Sequence, residues 1–341
     1  MSEFLVDYGL FLAKTLTVVV AAVFIISAAA AASRKQKDGG GLTVRNLNDR
    51  YRQITDTLRK SVLPKREFRS EVKARKARIK TRQKKKGDRK RMFVLDFHGD
   101  IKATAVASLR QEISAVLAVA RPQDEVLLRL ENYGGLVHEH GLAAAQLARL
   151  REGGIRLTVA VDKVAASGGY MMACVGDHVI SSPFAVIGSI GVLAQIPNFY
   201  RLLDQHGIEV EQIKAGRYKR TVTMFGRNTE EDRAKLTEEL EDVHVLFREL
   251  IAEFRPQLDL DTVATGEHWY GRRALALGLV DALQTSDDYL LGVLDQSDLF
   301  ALQWKGRKTL SEKVVAAVEG SADAAIRGLQ SAVDRNRFGS G

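Results

Sequence analysis

Cysteine is almost absent. Cys174 is the only one in 341 residues, so no disulfide can close within the chain, and the redox compartment stays open. It sits in the apolar run "MMACV" and reads as a buried structural thiol. Two familiar hydrolase signatures are also missing. "HEHGL" at 138–142 does not complete the H-E-x-x-H pattern, which argues against a zinc protease. Ala165 stands where a G-x-S-x-G elbow would need its first glycine. None of the seven histidines, His98, His138, His140, His178, His206, His244 and His268, has the setting of a Ser-His-Asp triad, and they read as ordinary helix surface. No internal repeat is present, and nothing calls for a metal or a cofactor.

Charge is present but uneven. The chain carries a net +9, yet residues 59–91 hold 17 Lys and Arg against Glu67, Glu71 and Asp88. That block is +14, which leaves −5 for everything else. A basic character confined to one segment points to a dedicated contact with an anionic surface, or to a solvated linker. Phe68 is the only aromatic in the block, which argues against a nucleic-acid partner, since stacking rings are missing.

One long hydrophobic run exists. Residues 15–33, "TLTVVVAAVFIISAAAAAS", are 19 in a row without a charge, and Lys14 can snorkel. With the preceding "YGLFLAK" they are long enough for a bilayer core of about 30 Å. A cleaved signal peptide is the alternative. Glu3 and Asp7, with no basic cluster ahead of the run, favour an uncleaved anchor at 1–33. Arg34, Lys35 and Lys37 follow at once, and the positive-inside rule would keep that side in the cytoplasm.

Between the glycines at 39–41 and Gly87-Asp88 lies a polar stretch that reads as helical. Strands and helices then alternate. "MFVLDF" (92–97), "EVLLRL" (125–130) and "RLTVAV" (156–161) read as strands, while 104–120 and 137–152 read as amphipathic helices. This order predicts a parallel sheet with helices on both faces, whose site lies at the carboxyl ends of the strands. The pairs Gly134-Gly135 and Gly168-Gly169 fall there. Residues 229–254 form a long helix with an acidic first turn, residues 271–283 a short helix closed by Gly278 and then a strand, and residues 308–341 an amphipathic tail.

Ser167-Gly168-Gly169 follows the third strand. Either it is a tight strand-to-helix turn, or Ser167 is a nucleophile and the glycines admit a substrate carbonyl. A serine hydroxyl needs a base. Without a suitable histidine, the candidates are Lys214 and Lys219 in "IKAGRYKRT". Burial can bring a lysine from about 10.4 toward 7–8, where its neutral form can take a proton.

Three segments, "ASGGYMMA", "IGSIGV" and "KAGRYKR", resemble, in order and spacing, the core of the S49 signal peptide peptidase family. The likeness runs from about residue 93 to 283. With the anchor and the basic region, it is closest to the family's membrane-peptidase branch. The resemblance implies a crotonase/Clp-like α/β fold of ββα repeats with flanking helices. It implies Ser167 as nucleophile, Lys219 as general base after Tyr218, and Ser189 as the hydroxyl that holds the lysine. Gly168 and one of Gly134 and Gly135, with Gly135 favoured, would form the oxyanion hole. The family usually has Ser-Pro-Gly-Gly where this chain has Asn132-Tyr133-Gly134-Gly135, and often Asp where it has Arg220. The expected organisation is a membrane anchor at 1–33, a basic linker at 34–91, a catalytic domain at 92–290 and a tail at 291–341. The expected activity is hydrolysis of apolar or membrane-derived peptides at the bacterial inner membrane, by a homo-oligomer touching lipid through its anchor and residues 59–91. Two other readings stand beside it. One is an acyl-CoA enzyme of the same fold, using Glu131 or Glu139, and the other is an inactive membrane scaffold.

Overall fold

The computed structural model describes residues 8–17, 40–83 and 89–306. Residues 43–304 form one compact unit, and the remaining described residues belong to a second. In the second, residues 8–17 are helical, with the Thr15 and Thr17 hydroxyls donating to the Phe11 and Ala13 carbonyls. No helix among the described residues is long and apolar enough to cross a membrane. Most of the apolar run 15–33 and all of the tail 308–341 lie outside the described residues.

The larger unit opens within β1 (Gly41–Asn46) and continues through α1 (Leu47–Val62) and α2 (Lys65–Gln83). Leu63 is extended, as the residue before Pro64 should be, so the polar stretch folds as two helices rather than one. Then come β2 (Lys90–His98), α3 (Val106–Val119), β3 (Glu125–Glu131), α4 (Val137–Glu152), β4 (Arg156–Val161), β5 (Val164–Ala166), α5 (Gly168–Ala173), β6 (His178–Ser181) and β7 (Val186–Gly188). The chain continues through α6 (Tyr200–Gln205), α7 (Glu230–Phe254), α8 (Leu260–Val263), β8 (His268–Tyr270), α9 (Gly271–Ala276), β9 (Ala282–Leu283), α10 (Ser286–Val293) and β10 (Ser297–Lys305).

The main sheet runs β1-β10-β2-β3-β4-β6-β9, and every neighbouring pair from β10 to β9 is parallel. A small sheet, β5-β7-β8, stands beside it. Side chains alternate across a strand. Met92 and Val94 therefore share one face with Leu127, Ala160 and Ile180, where Leu47 of α1 and Leu290 of α10 cover them. Phe93, Leu95 and Phe97 point to the other face and are equally buried, on the side of α3. The expected parallel sheet with two helical layers is therefore present. Residues 297–305, assigned from the sequence to a terminal tail, are instead a strand of this sheet. Buried Asn48 ties α1 to that strand, donating to the Leu294 and Ser297 carbonyls and accepting from the Leu299 N–H at 2.7 Å.

One ion pair locks the end of α7. The Arg255 guanidinium lies 2.8 Å from both oxygens of Asp281 and donates to the Gly278 carbonyl. Burial opposes ionisation of Asp281, but these hydrogen bonds outweigh it and hold the carboxyl below the ordinary aspartate range. A depressed folded value stabilises above the unfolded value, about 3.9, and the contribution is lost as pH falls through the folded one. Arg255→Ala leaves the Asp281 charge without its partner and is expected to cost about 3 kcal/mol, read as a lower urea midpoint at neutral pH. The deficit should shrink in acid, because protonated Asp281 no longer needs the cation.

Candidate active site

The site forms where β3 and β5 end side by side. Asn132 bridges to Ala165, its N–H donating to the Val164 carbonyl and its carbonyl accepting from Ala166 at 3.0 Å. β5 and β7 run parallel with Ala166 opposite Gly188. The next residues, Ser167 and Ser189, therefore leave adjacent strand ends together. Both are half-buried and both have positive φ, +53° and +52°, a conformation that costs a non-glycine residue energy. The Ser167 N–H donates to the Gly188 carbonyl at 2.8 Å, and the Ser189 N–H to the Glu267 carbonyl at 2.6 Å. Strand pairing thus holds Ser167 on a strained turn straight into α5. This is the strand–turn–helix geometry of a nucleophile elbow, although Ala165 stands in place of the first glycine of that pattern.

Gly134 lies against that turn. A Cβ there would come 2.8 Å from the Ser167 Cβ and 2.9 Å from the Gly168 nitrogen, and its φ is +88°. Its own N–H is occupied, donating to Asn132 Oδ1 at 2.9 Å. Neither the Gly135 N–H nor the Gly168 N–H has a protein acceptor among the described residues. Gly135, Ser167 and Gly168 line one hollow of about 10 Å³, room for about one water-sized group. The hollow shares Val137, Met171, Val243 and Phe247 with an apolar groove of about 500 Å³ between α4 and α7.

Two residues at this turn carry no role in the sequence reading. Asn132 and His140 are both fully buried. The His140 ring nitrogens lie 3.2 Å from Asn132 Oδ1 and 3.0 Å from the Leu136 carbonyl. Its ring also packs against Gly168, where a Cβ would come within 2.5 Å of it. His140 is therefore not helix surface, unlike His138, whose side chain is 76% exposed; His98 is 74% exposed but ends β2 rather than lying on a helix. The signal was in the spacing: Ala143, Ala144, Leu147 and Leu150 lie on the same helical face, and all are buried.

Lys219 and Lys214 stand apart from this cluster. Lys219 is exposed, and its N–H donates to the Gly216 carbonyl. The Lys214 ammonium donates to the Arg220 carbonyl at 3.2 Å. Among the described residues no hydrogen bond joins either lysine to Ser167 or Ser189. Glu131 is engaged by Lys163 at 2.9 Å, and neither it nor Glu139 lines the hollow. Cys174 is buried in α5's continuation, and burial pushes its thiol up to about 12, as an inert structural thiol requires. No cluster of His, Cys, Asp and Glu able to hold a metal occurs among the described residues.

A strained serine elbow on a parallel α/β sheet is the setting of a hydrolase, and the family models agree. Residues 3–147 match the N-terminal model of peptidase family S49, and residues 149–299 match the family S49 model itself. The chain belongs to peptidase family S49, in its SohB branch. It is 44% identical over 335 residues to a probable protease SohB of Haemophilus influenzae, covering 94% of this chain and 95% of that protein. Two proteins of the same name from Buchnera aphidicola are similar as well. The one from the Schizaphis graminum symbiont is 46% identical over 86% of this chain and 87% of its own length. The one from the Acyrthosiphon pisum symbiont is 55% identical over 68% and 69%. Family and relatives both support a peptidase.

Proposed function

We propose that the protein is a membrane-anchored serine endopeptidase of crotonase/Clp-like fold that cleaves apolar peptides with a Ser-Lys dyad. The observation that carries this reading is the hollow beside Ser167. Two unengaged N–H groups, of Gly168 and Gly135, border a space the size of one oxygen, and that space opens into an apolar groove. Neutral Lys219 takes the Ser167 proton as Oγ attacks the scissile carbonyl. The Gly168 and Gly135 N–H groups receive the developing oxyanion. Of the glycine pair, Gly134 is the poorer donor, because Asn132 already holds its N–H. Lys219 then protonates the leaving amine. Water, deprotonated by the same lysine, releases the acyl group and restores Ser167. Ser189, side by side with the nucleophile, is suited to hold the amine through its hydroxyl.

The lysine needs cover from water to be neutral. Residues 192–229, which carry it, include no buried side chain, while Leu193 and Ile213 are 82% and 94% exposed. So apolar a segment calls for a partner surface, and a second copy of the chain supplies one in a homo-oligomer. The anchor and the basic 59–91 segment put the assembly on the bacterial inner membrane. Acyl-CoA chemistry lacks support, because no carboxylate lines the hollow among the described residues.

The test is hydrolysis of fluorogenic apolar peptides by the full chain in detergent. Wild type is expected to cleave and folded Ser167→Ala to be inactive. Equal rates for the two would overturn the reading. Mass measurement should give several copies per particle. Leu193→Lys with Ile213→Lys should lower both copy number and rate, whereas a fully active monomer would contradict the oligomer.

A further inference from the structure

The α1–α2 hairpin carries a surface that the active site does not use. The first half of α1 is docked: Leu47 is buried, Asn48 is hydrogen-bonded to β10, and Tyr51 packs on the core. The same face then continues past the sheet. Leu47, Tyr51, Ile54, Leu58 and Val62 fall within about 80° of one another at 100° per residue. Ile54, Leu58 and Val62 are 57%, 63% and 66% exposed. The helix α2 does not cover them. It lies along another side of α1, held by the Arg75–Asp56 and Arg59–Glu71 ion pairs.

The hairpin is also where the charge is. Residues 47–83 contain 13 Lys and Arg and four Asp and Glu, a net +9 that equals the charge of the whole chain. Arg50 and Lys60 on α1, and Lys65, Arg66, Arg69 and Lys73 on α2, are exposed.

We infer that this hairpin lies on an anionic lipid surface, with Ile54, Leu58 and Val62 entering the acyl boundary and the surrounding cations meeting headgroup phosphates. An aliphatic stripe on a strongly basic element fits an acidic bilayer, which offers both an apolar layer and negative charge. A second copy of the hairpin fits worse, since two +9 elements repel. A nucleic acid fits worse too, because aliphatic side chains gain nothing from a phosphate backbone and the stripe's one ring, Tyr51, is engaged in the core. Only for proximity does the inference rest on the anchored reading: 13 residues separate the apolar run ending at 33 from α1, a span of at most about 45 Å.

The experiment uses the full chain with Leu58→Cys carrying an environment-sensitive fluorophore. Buried Cys174 stays unlabelled. Gln53→Cys, exposed about 140° round the helix, is the control. Both are reconstituted with phosphatidylcholine vesicles, with and without phosphatidylglycerol. The label at 58 should shift to the blue and be quenched by brominated acyl chains in anionic vesicles only, and neutralising Lys65, Arg66, Arg69 and Lys73 to Gln should remove the shift. The label at 53 should not respond. Flotation with both vesicle types supports the anchor. Flotation with anionic vesicles alone, with the shift intact, keeps this inference while the anchored reading fails. Floating protein whose label at 58 stays in water overturns it. So does a shift that follows protein concentration without lipid, which would mean a second copy, or one that follows added RNA.

Discussion

Lys219→Arg is expected to abolish peptide hydrolysis as completely as Lys219→Ala, by about 10³-fold, with the fold intact. The reasoning is chemical rather than steric. Arginine keeps the positive charge and roughly the length, but its guanidinium does not deprotonate in proteins, so it cannot take the Ser167 proton. If Lys219 served only to attract an anionic group, arginine would be an adequate replacement. The exposed position of Lys219 makes a stability loss from either variant small, so a collapse of kcat without a fall in Tm is the expected pattern. Lys214, whose ammonium is engaged by the Arg220 carbonyl, should tolerate alanine with little change in rate.

Asn132→Ala is expected to lower kcat by about 10²-fold with a small change in KM, and to cost about 1–3 kcal/mol of stability. Asn132 Oδ1 accepts the Gly134 N–H and faces the buried His140 ring, so its removal leaves buried polar groups without a partner. Gly134 then loses the contact that fixes it against Ser167, and Gly135 shifts with it. The Asn132→Ser, Tyr133→Pro double variant restores the family's usual turn. It should recover most of the rate, because proline fixes the backbone that the asparagine otherwise holds. Tyr133 is 72% exposed and loses no packing in the exchange. Parallel kinetics and urea titrations separate the two effects: a purely structural Asn132 would lower the denaturation midpoint and leave kcat of the folded fraction unchanged.

The regular elements were legible because their periods are local. The strand at 92–97 and the helix at 137–152 are found within two residues of their expected ends, since alternation and 3.6-residue spacing survive in short windows. β10 was not legible as part of the sheet. Its partner β2 lies some 200 residues earlier, and no local pattern announces such a pairing. The glycine turns located the site at the strand ends, but the spacing could not say which N–H groups are free. Asn132 spends the Gly134 donor and leaves that of Gly135 unengaged, a distinction made only by three-dimensional contacts. Lys214 and Lys219 were both readable as candidate bases, and only family likeness set Lys219 ahead, because an exposed loop carries no periodicity to read; among the described residues neither lysine is hydrogen-bonded to Ser167.

In the proposed mechanism Ser167 is a nucleophile activated by Lys219. The most direct measurement is reaction of the full-length protein with a fluorophosphonate, followed by mass mapping of the adduct. One adduct is expected, on Ser167, with none in Ser167→Ala and labelling slowed about 10³-fold in Lys219→Ala. An unmodified Ser167 in protein that is cleaving peptides, or equal labelling rates with and without Lys219, would contradict it.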